Sequence, residues 1–168
     1  VAADAKRLGL RPSTRTLTYV FMLLQRADRH SFYGPYLRAI PAQHMDPMGW
    51  NMPELAMLRG TNLLSQHFRR KAELRIDFDG TIPALCDAFP ARYSPGVLCW
   101  REFLWAHSSF VSRNLPLEPD ARGTLRLTTD SGRTEQRQQC LLPLVDMLNH
   151  RYQAPIIWQS AGGESCGG

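Results

Sequence analysis

Near the C-terminal end, the apolar run Leu141-Leu142-Pro143-Leu144-Val145 leads into Asp146, Asn149 and His150. A carboxylate, a carboxamide and an imidazole at one end of a buried segment can accept, donate and carry charge toward a polar ligand. The same pattern also describes a core strand leaving through a polar turn, because short apolar runs are ambiguous. Arg113, which closes the clearest helical pattern in the chain, adds a fixed positive charge; a helix C-terminus favours a cation there in any case. For Asp146 the plainer reading is a turn or cap residue. His107-Ser108-Ser109 brings an imidazole beside hydroxyls, but helix neighbours point in different directions, so no nucleophile–base pair is expected. The cysteines Cys86, Cys99, Cys140 and Cys166 form no C-x-x-C, and no His sits at a zinc-finger offset from a Cys pair. No metal site is expected, and Cys86, Cys99 and Cys140 read as buried structural thiols. Phosphate loops, G-x-G-x-x-G, H-E-x-x-H and G-x-S-x-G are all missing from the sequence.

The chain of 168 residues is long enough for one domain with a real core. Its 43% hydrophobic and 21% charged residues read as globular. No run approaches the roughly 20 apolar residues that span a bilayer, so no membrane role is expected. The net charge of +5 is spread out, and the densest cluster is Arg69-Arg70-Lys71, so nucleic-acid binding is not expected. Sparse cysteines without a framework favour an intracellular, reducing location; cytoplasm, nucleus and organelle are not separated.

The elements that must position these residues are mainly helices. Residues 1–12 read as a polar lead-in. Ser13 or Thr14 caps a helix to about Arg29, with Leu17, Val20, Phe21, Leu24 and Ala27 on its apolar face. A short helix over 31–40 has Pro35 in its first turn and is ended by Pro41, with Phe32, Tyr33 and Tyr36 as packing residues. Asn51 caps the next helix, with Pro53 and Glu54 in its first turn, Leu55 and Leu58 buried and Gly60 as its stop. From Thr61 a longer helix carries Leu63, Leu64, His67, Phe68 and Leu74. His67 is expected at its surface or edge, and Arg69, Arg70 and Lys71 toward water. The Pro- and Gly-rich residues 76–96 predict short helical pieces at most. Ser94 and Pro95 launch a helix with Val97, Trp100, Leu104, His107 and Val111 on one face, flanked by Phe103 and Phe110, ending before Pro116. Then Leu125–Thr129 alternates like an edge strand, residues 134–139 form a polar excursion, and Leu141–His150 reads as a strand.

Four ordered segments carry a family resemblance. They are Ser31-Phe32-Tyr33-Gly34-Pro35-Tyr36-Leu37 with Pro41 after it, and Trp50-Asn51-Met52-Pro53-Glu54-Leu55-Ala56-Met57-Leu58-Arg59-Gly60-Thr61. Trp105-Ala106 with Val111-Ser112-Arg113 follows, and then Leu142-Pro143-Leu144-Val145-Asp146-Met147-Leu148-Asn149-His150. Together they resemble the SET-domain protein methyltransferases of the branch holding the Rubisco large-subunit and actin-histidine methyltransferases. The resemblance implies an α+β fold that is predominantly α in this chain. A helical SET insert over 13–115 is followed by a β-leaning SET core segment over 116–168. It implies a protein methyltransferase using S-adenosylmethionine, with a protein lysine as first-choice substrate and histidine as the alternative. Asn149 matches the residue at the methionine end of the cofactor, and the backbone at His150 the one at its adenine. Arg113 matches a pocket arginine and Asp146 an acidic residue at the pocket edge.

Two family elements have no counterpart. The glycine-rich cofactor turn is not found before the insert, and the tyrosine segment expected after the asparagine–histidine pair is represented only by Tyr152, which is too close. No catalytic residue is therefore assigned. The chain reads as an internal piece of a SET domain, expected to hold residual cofactor affinity at most and to give no turnover alone. A rival class is a catalytically inactive helical module that grips a protein partner. A tyrosine segment further along the reading frame would separate the two.

Overall fold

In the computed structural model the described residues are 1–119, 125–127 and 138–148. The chain divides into two compact units, Val1–Val111 and Ser112–Gly168; the sequence places its change of character at 115/116. The first unit is helical. It contains α1 (Ala2–Arg7), α2 (Thr14–Ala27), α3 (Gly34–Ala39), α4 (Met52–Ala56), α5 (Asn62–Asp79), α6 (Ile82–Ala88) and most of α7 (Trp100–Arg113), with a 3-10 turn at Pro47–Gly49. The second unit begins with the last two residues of α7. It continues into β1 (Leu115–Pro119), β2 (Leu125–Leu127), β3 (Gln138–Cys140) and a 3-10 turn at Val145–Met147. A mainly helical chain with a short β-containing end is the fold class the sequence implies.

Local signals set several of these elements. Ser13 caps α2 by accepting the Thr16 amide at 3.1 Å. Asn51 and Glu54 form a reciprocal capping box on α4: the Glu54 amide donates to Asn51 Oδ1 at 3.0 Å, and the Asn51 amide donates to Glu54 Oε2 at 2.7 Å. Pro35 sits in the first turn of α3, where its missing N–H costs nothing. Gly60, at φ +80°, makes the joint into α5 in a conformation that favours glycine.

Other expectations give way to tertiary packing. Residues 1–12 hold a helix rather than a lead-in, because Asp4 is buried and anchored. Its Oδ2 accepts from Tyr93 Oη and Arg92 Nη1, each at 2.6 Å. The buried face of α2 is Thr16, Tyr19, Val20, Met22 and Leu23; of the expected set only Val20 is buried, and Phe21 is 43% exposed. The polar groups go inward because partners await them: the Thr16 hydroxyl donates to Asp77, and Tyr19 Oη meets His107 Nδ1 at 3.0 Å. Phe32 and Tyr33 lie outside the core but pack edge-on against each other, and Tyr33 against Phe21; on α5 Leu63 and Phe68 are exposed while His67 is buried. Leu55 on α4 is buried, and Leu58, in the turn after that helix, is half-buried. The break expected over 76–96 comes late, since α5 runs to Asp79 before α6 begins.

The helix expected from Ser94 starts at Trp100. Ser94 caps only a turn, with the Leu98 amide on its carbonyl at 2.9 Å; Gly96 and the β-branched Val97 are poor propagators. The buried residues of α7 are Phe103, Trp105, Ala106, His107, Ser108, Ser109 and Phe110, with Phe103, Ala106, His107 and Phe110 forming one face, while Val111 is half exposed. Phe103 is fully buried, edge-on to Tyr19 and Phe78 and stacked with Trp100 at 6.1 Å. Cys86 is buried and Cys99 and Cys140 half-buried; all three are free thiols.

The Asp4 anchor makes a pH-dependent prediction. The bonds from Tyr93 and Arg92 hold the Asp4 carboxyl below its ordinary value of 3.8. Its stabilisation is complete above that value and is lost as pH falls through the lower folded value. Asp4→Asn should therefore melt earlier than wild type near neutrality, and the gap should narrow progressively as pH falls below about 3.8. Melting curves with a constant gap at all pH values would count against this anchor.

Candidate functional site

In the second unit, strand register brings two distant residues together. β1 lies between β2 and β3, antiparallel to both, with Leu115 opposite Cys140 and Leu117 opposite Gln138. Arg113 ends α7 just before β1, and the chain leaves β3 at Cys140, so the exit from the sheet lies beside the helix end. The run after Cys140 is not the strand expected over Leu141–His150. Pro143 has no N–H for a ladder, and Leu144 takes the left-handed backbone at φ 73°. The Val145 and Asp146 amides then donate back to the Leu142 carbonyl at 3.1 and 3.2 Å. This turn carries the Asp146 side chain inward, where it is 1% exposed, while Leu144 and Leu148 are exposed.

There Arg113 Nη1 donates to Asp146 Oδ2 at 3.1 Å, and the arginine side chain is 21% exposed. The pair joins the C-terminal end of α7, where the macrodipole favours a cation, to the 3-10 turn. Both partners are shielded from water, which makes their charges count for more than on an open surface. Removing either partner leaves the charge of the other without its compensation. Of the four residues the sequence singles out, Arg113 and Asp146 are thus brought into contact, and Asn149 and His150 lie outside the described residues.

The helical unit holds a concavity that the sequence does not announce. A cleft of about 540 Å³ is lined by residues that include Arg26, His44, Asp46, Glu102, Trp105 and Ser108. Arg26 Nη1 donates to Glu102 Oε2 at 2.9 Å, and its guanidinium lies 3.9 Å from the Trp105 ring centre. Trp105 Nε1 donates to the Pro41 carbonyl at 2.8 Å, and His44 Nε2 meets Ser109 Oγ at 2.7 Å. Ser109 is fully buried, so this Ser–His contact is structural and not an accessible nucleophile. Trp105 and Pro41 are visible in the sequence as parts of motifs, but Arg26 and His44 are remote from Trp105 in the chain and carry no local signal. Among the described residues no group of three or more His, Cys, Asp or Glu could hold a metal ion, and no helix is long and apolar enough to cross a membrane.

No family model matches the chain. The actin-histidine N-methyltransferase of Canis lupus familiaris is 26% identical over 139 residues, covering 80% of this chain and 21% of that protein. Protein-lysine N-methyltransferase EFM1 of Saccharomyces cerevisiae is 28% identical over 161 residues, covering 77% of this chain and 26% of that protein. The crystal structure of the SET domain of LSMT bound to lysine and AdoHcy superposes with a TM-score of 0.59 at 16% identity, over 92% of this chain and 32% of that one. The chain spans only 21% and 26% of the two relatives' lengths. It has the fold of part of a SET domain, and its homologues are actin-histidine and protein-lysine N-methyltransferases.

Proposed function

We propose that this chain is part of an S-adenosylmethionine-dependent protein methyltransferase, that it forms one wall of the cofactor site, and that a protein lysine receives the methyl group. The observation that carries the reading is the shielded Arg113–Asp146 pair, held where the helix end meets the sheet exit of a SET fold. The residues suit the ligand chemically. The methionine end of the cofactor carries a carboxylate and an ammonium; the guanidinium of Arg113 has N–H donors beyond Nη1, and Asp146 is an acceptor. In this reading Asn149 holds the methionine end as donor and acceptor, and the backbone at His150 meets the adenine.

The bound cofactor supplies a methyl group on a sulfonium centre. The contribution of Arg113 and Asp146 is to bind and orient, since an in-line transfer to a neutral nitrogen draws its rate mainly from positioning and electrostatics. Beyond loss of the nucleophile's proton, no paired-carboxylate machinery is required. The actin-histidine relatives favour histidine as the second reading of the acceptor side chain. The free thiols of Cys86, Cys99 and Cys140 support an intracellular setting.

The test is calorimetric titration of the full-length protein with S-adenosylhomocysteine. Arg113→Ala and Asn149→Ala should each weaken binding by about tenfold or more, the value of a hydrogen bond to a charged group. Binding heats unchanged in both variants would remove the assigned wall. Lysine- and histidine-bearing peptides offered with labelled cofactor then separate the two acceptors.

A further inference from the structure

Two polar groups of the helical unit are buried without a hydrogen-bond partner: both ring nitrogens of His67 and Oδ1 of Asp46. Leaving such groups unpaired costs free energy, so each instance needs an explanation. His67 is 5% exposed on α5. Asp46 immediately precedes the 3-10 turn Pro47–Gly49, and that turn packs against α5. Asp46 also lines the cleft, yet its Oδ1 is closed off from solvent.

Lys71, one turn further along α5, opposes protonation of His67, and Asp46 favours it. The other buried imidazole, His107 on α7, feels Arg70 and Arg15 against protonation and Asp46 for it. Asp46 is therefore the anion that acts on both imidazoles.

We propose that His67 and Asp46 form a proton-operated latch, in which the protonated imidazole donates to Asp46 Oδ1 and ties the Pro47–Gly49 turn to α5. Donor and acceptor each lack a partner, His67 sits on α5 and Asp46 at the head of the turn that contacts it, and they carry opposite charges only when His67 is protonated. A charge-assisted bond of this kind is roughly twice as strong as a neutral one. Deprotonation of His67 loosens the turn and, with it, the Asp46 wall of the cleft. Burial disfavours the charged ring, so the latch closes below the ordinary imidazole range.

The test follows the His67 ring resonances by NMR from about pH 8 to about pH 4.5, the span around an imidazole titration. Wild type, Asp46→Asn and Lys71→Gln are compared. Asp46 makes no side-chain cap bond to its turn, so the asparagine variant keeps the local fold. The His67 midpoint should fall by about one pH unit in Asp46→Asn and rise in Lys71→Gln. In wild type, exchange of the Gly49 and Trp50 amides, which close the turn onto Asp46 and Pro47, should slow as His67 protonates, beyond the intrinsic pH effect. That slowing should vanish in Asp46→Asn. An unchanged midpoint in Asp46→Asn, or turn amides indifferent to His67, would overturn the latch; a ring satisfied by buried water gives that result.

Discussion

Phe103→Ala is expected to destabilise the helical unit by about 3–5 kcal/mol, the cost of removing a fully buried aromatic and leaving a cavity behind. The ring is completely buried and touches three others, Tyr19, Phe78 and Trp100, from α2, α5 and its own helix. Neighbouring aromatics held at these angles cannot collapse into the space without abandoning their edge-to-face contacts, each worth roughly 0.5–1.5 kcal/mol. Against a typical net stability of about 5–15 kcal/mol, the loss is a large fraction. Urea denaturation should show a lower midpoint for Phe103→Ala and almost no shift for Val111→Ala, since Val111 lies on the open side of the same helix. Equal shifts for the two would mean that the inner face of α7 is wrongly assigned.

Acidification should destabilise the same core through His107. Burial, reinforced by the Arg70 and Arg15 charges, lowers its pKa to about 4 from 6.5, against the opposing pull of Asp46. The unfolded chain therefore binds a proton at this position before the folded chain does, and stability rises with pH across that interval. The contribution is complete above 6.5 and is lost progressively as pH falls toward about 4; its full size is about 3 kcal/mol. Chemical denaturation between about pH 7 and pH 4 should show this slope in wild type. His107→Gln should flatten most of it, leaving the smaller contribution of His67, which is lowered in the same sense. A slope that survives His107→Gln intact would assign the acid sensitivity elsewhere.

The parts of the fold readable in the sequence are those decided within a few residues. Asn51 and Glu54 announce their capping box by spacing alone, Ser13 announces its cap, and Pro35 its first turn. The faces of α2 and α7 were not readable, because the deciding contacts are far apart in the chain. Thr16 goes inward for Asp77, and Tyr19 for His107. Periodicity counts apolar residues and so turns both helices outward by about one position. His67 escaped for the same reason: an imidazole on a polar stretch of helix reads as surface unless the packing segment around Asp46 is known. At the candidate site, Arg113 and Asp146 were legible as residues, whereas the turn that joins them was not. The apolar run Leu141–Val145 has strand composition, and only Pro143 hints that the ladder ends at Cys140 instead.

The pairing of Leu115 with Cys140 also bears on which insertions and deletions the protein can accept. Arg113 and Asp146 are placed by two short tethers, one from α7 into β1 and one from β3 into its turn. Residues added or removed between the two strands change neither tether, so the intervening segment can drift in length without disturbing the ion pair. A single residue gained or lost at Asn114, or between Leu141 and Val145, shifts the tether itself. Only Asn114 separates Arg113 from β1, and a tight turn carries Asp146 after β3, so such a step displaces one partner from the other. Length variation tolerated in the middle and refused at the two ends is the pattern this sheet imposes.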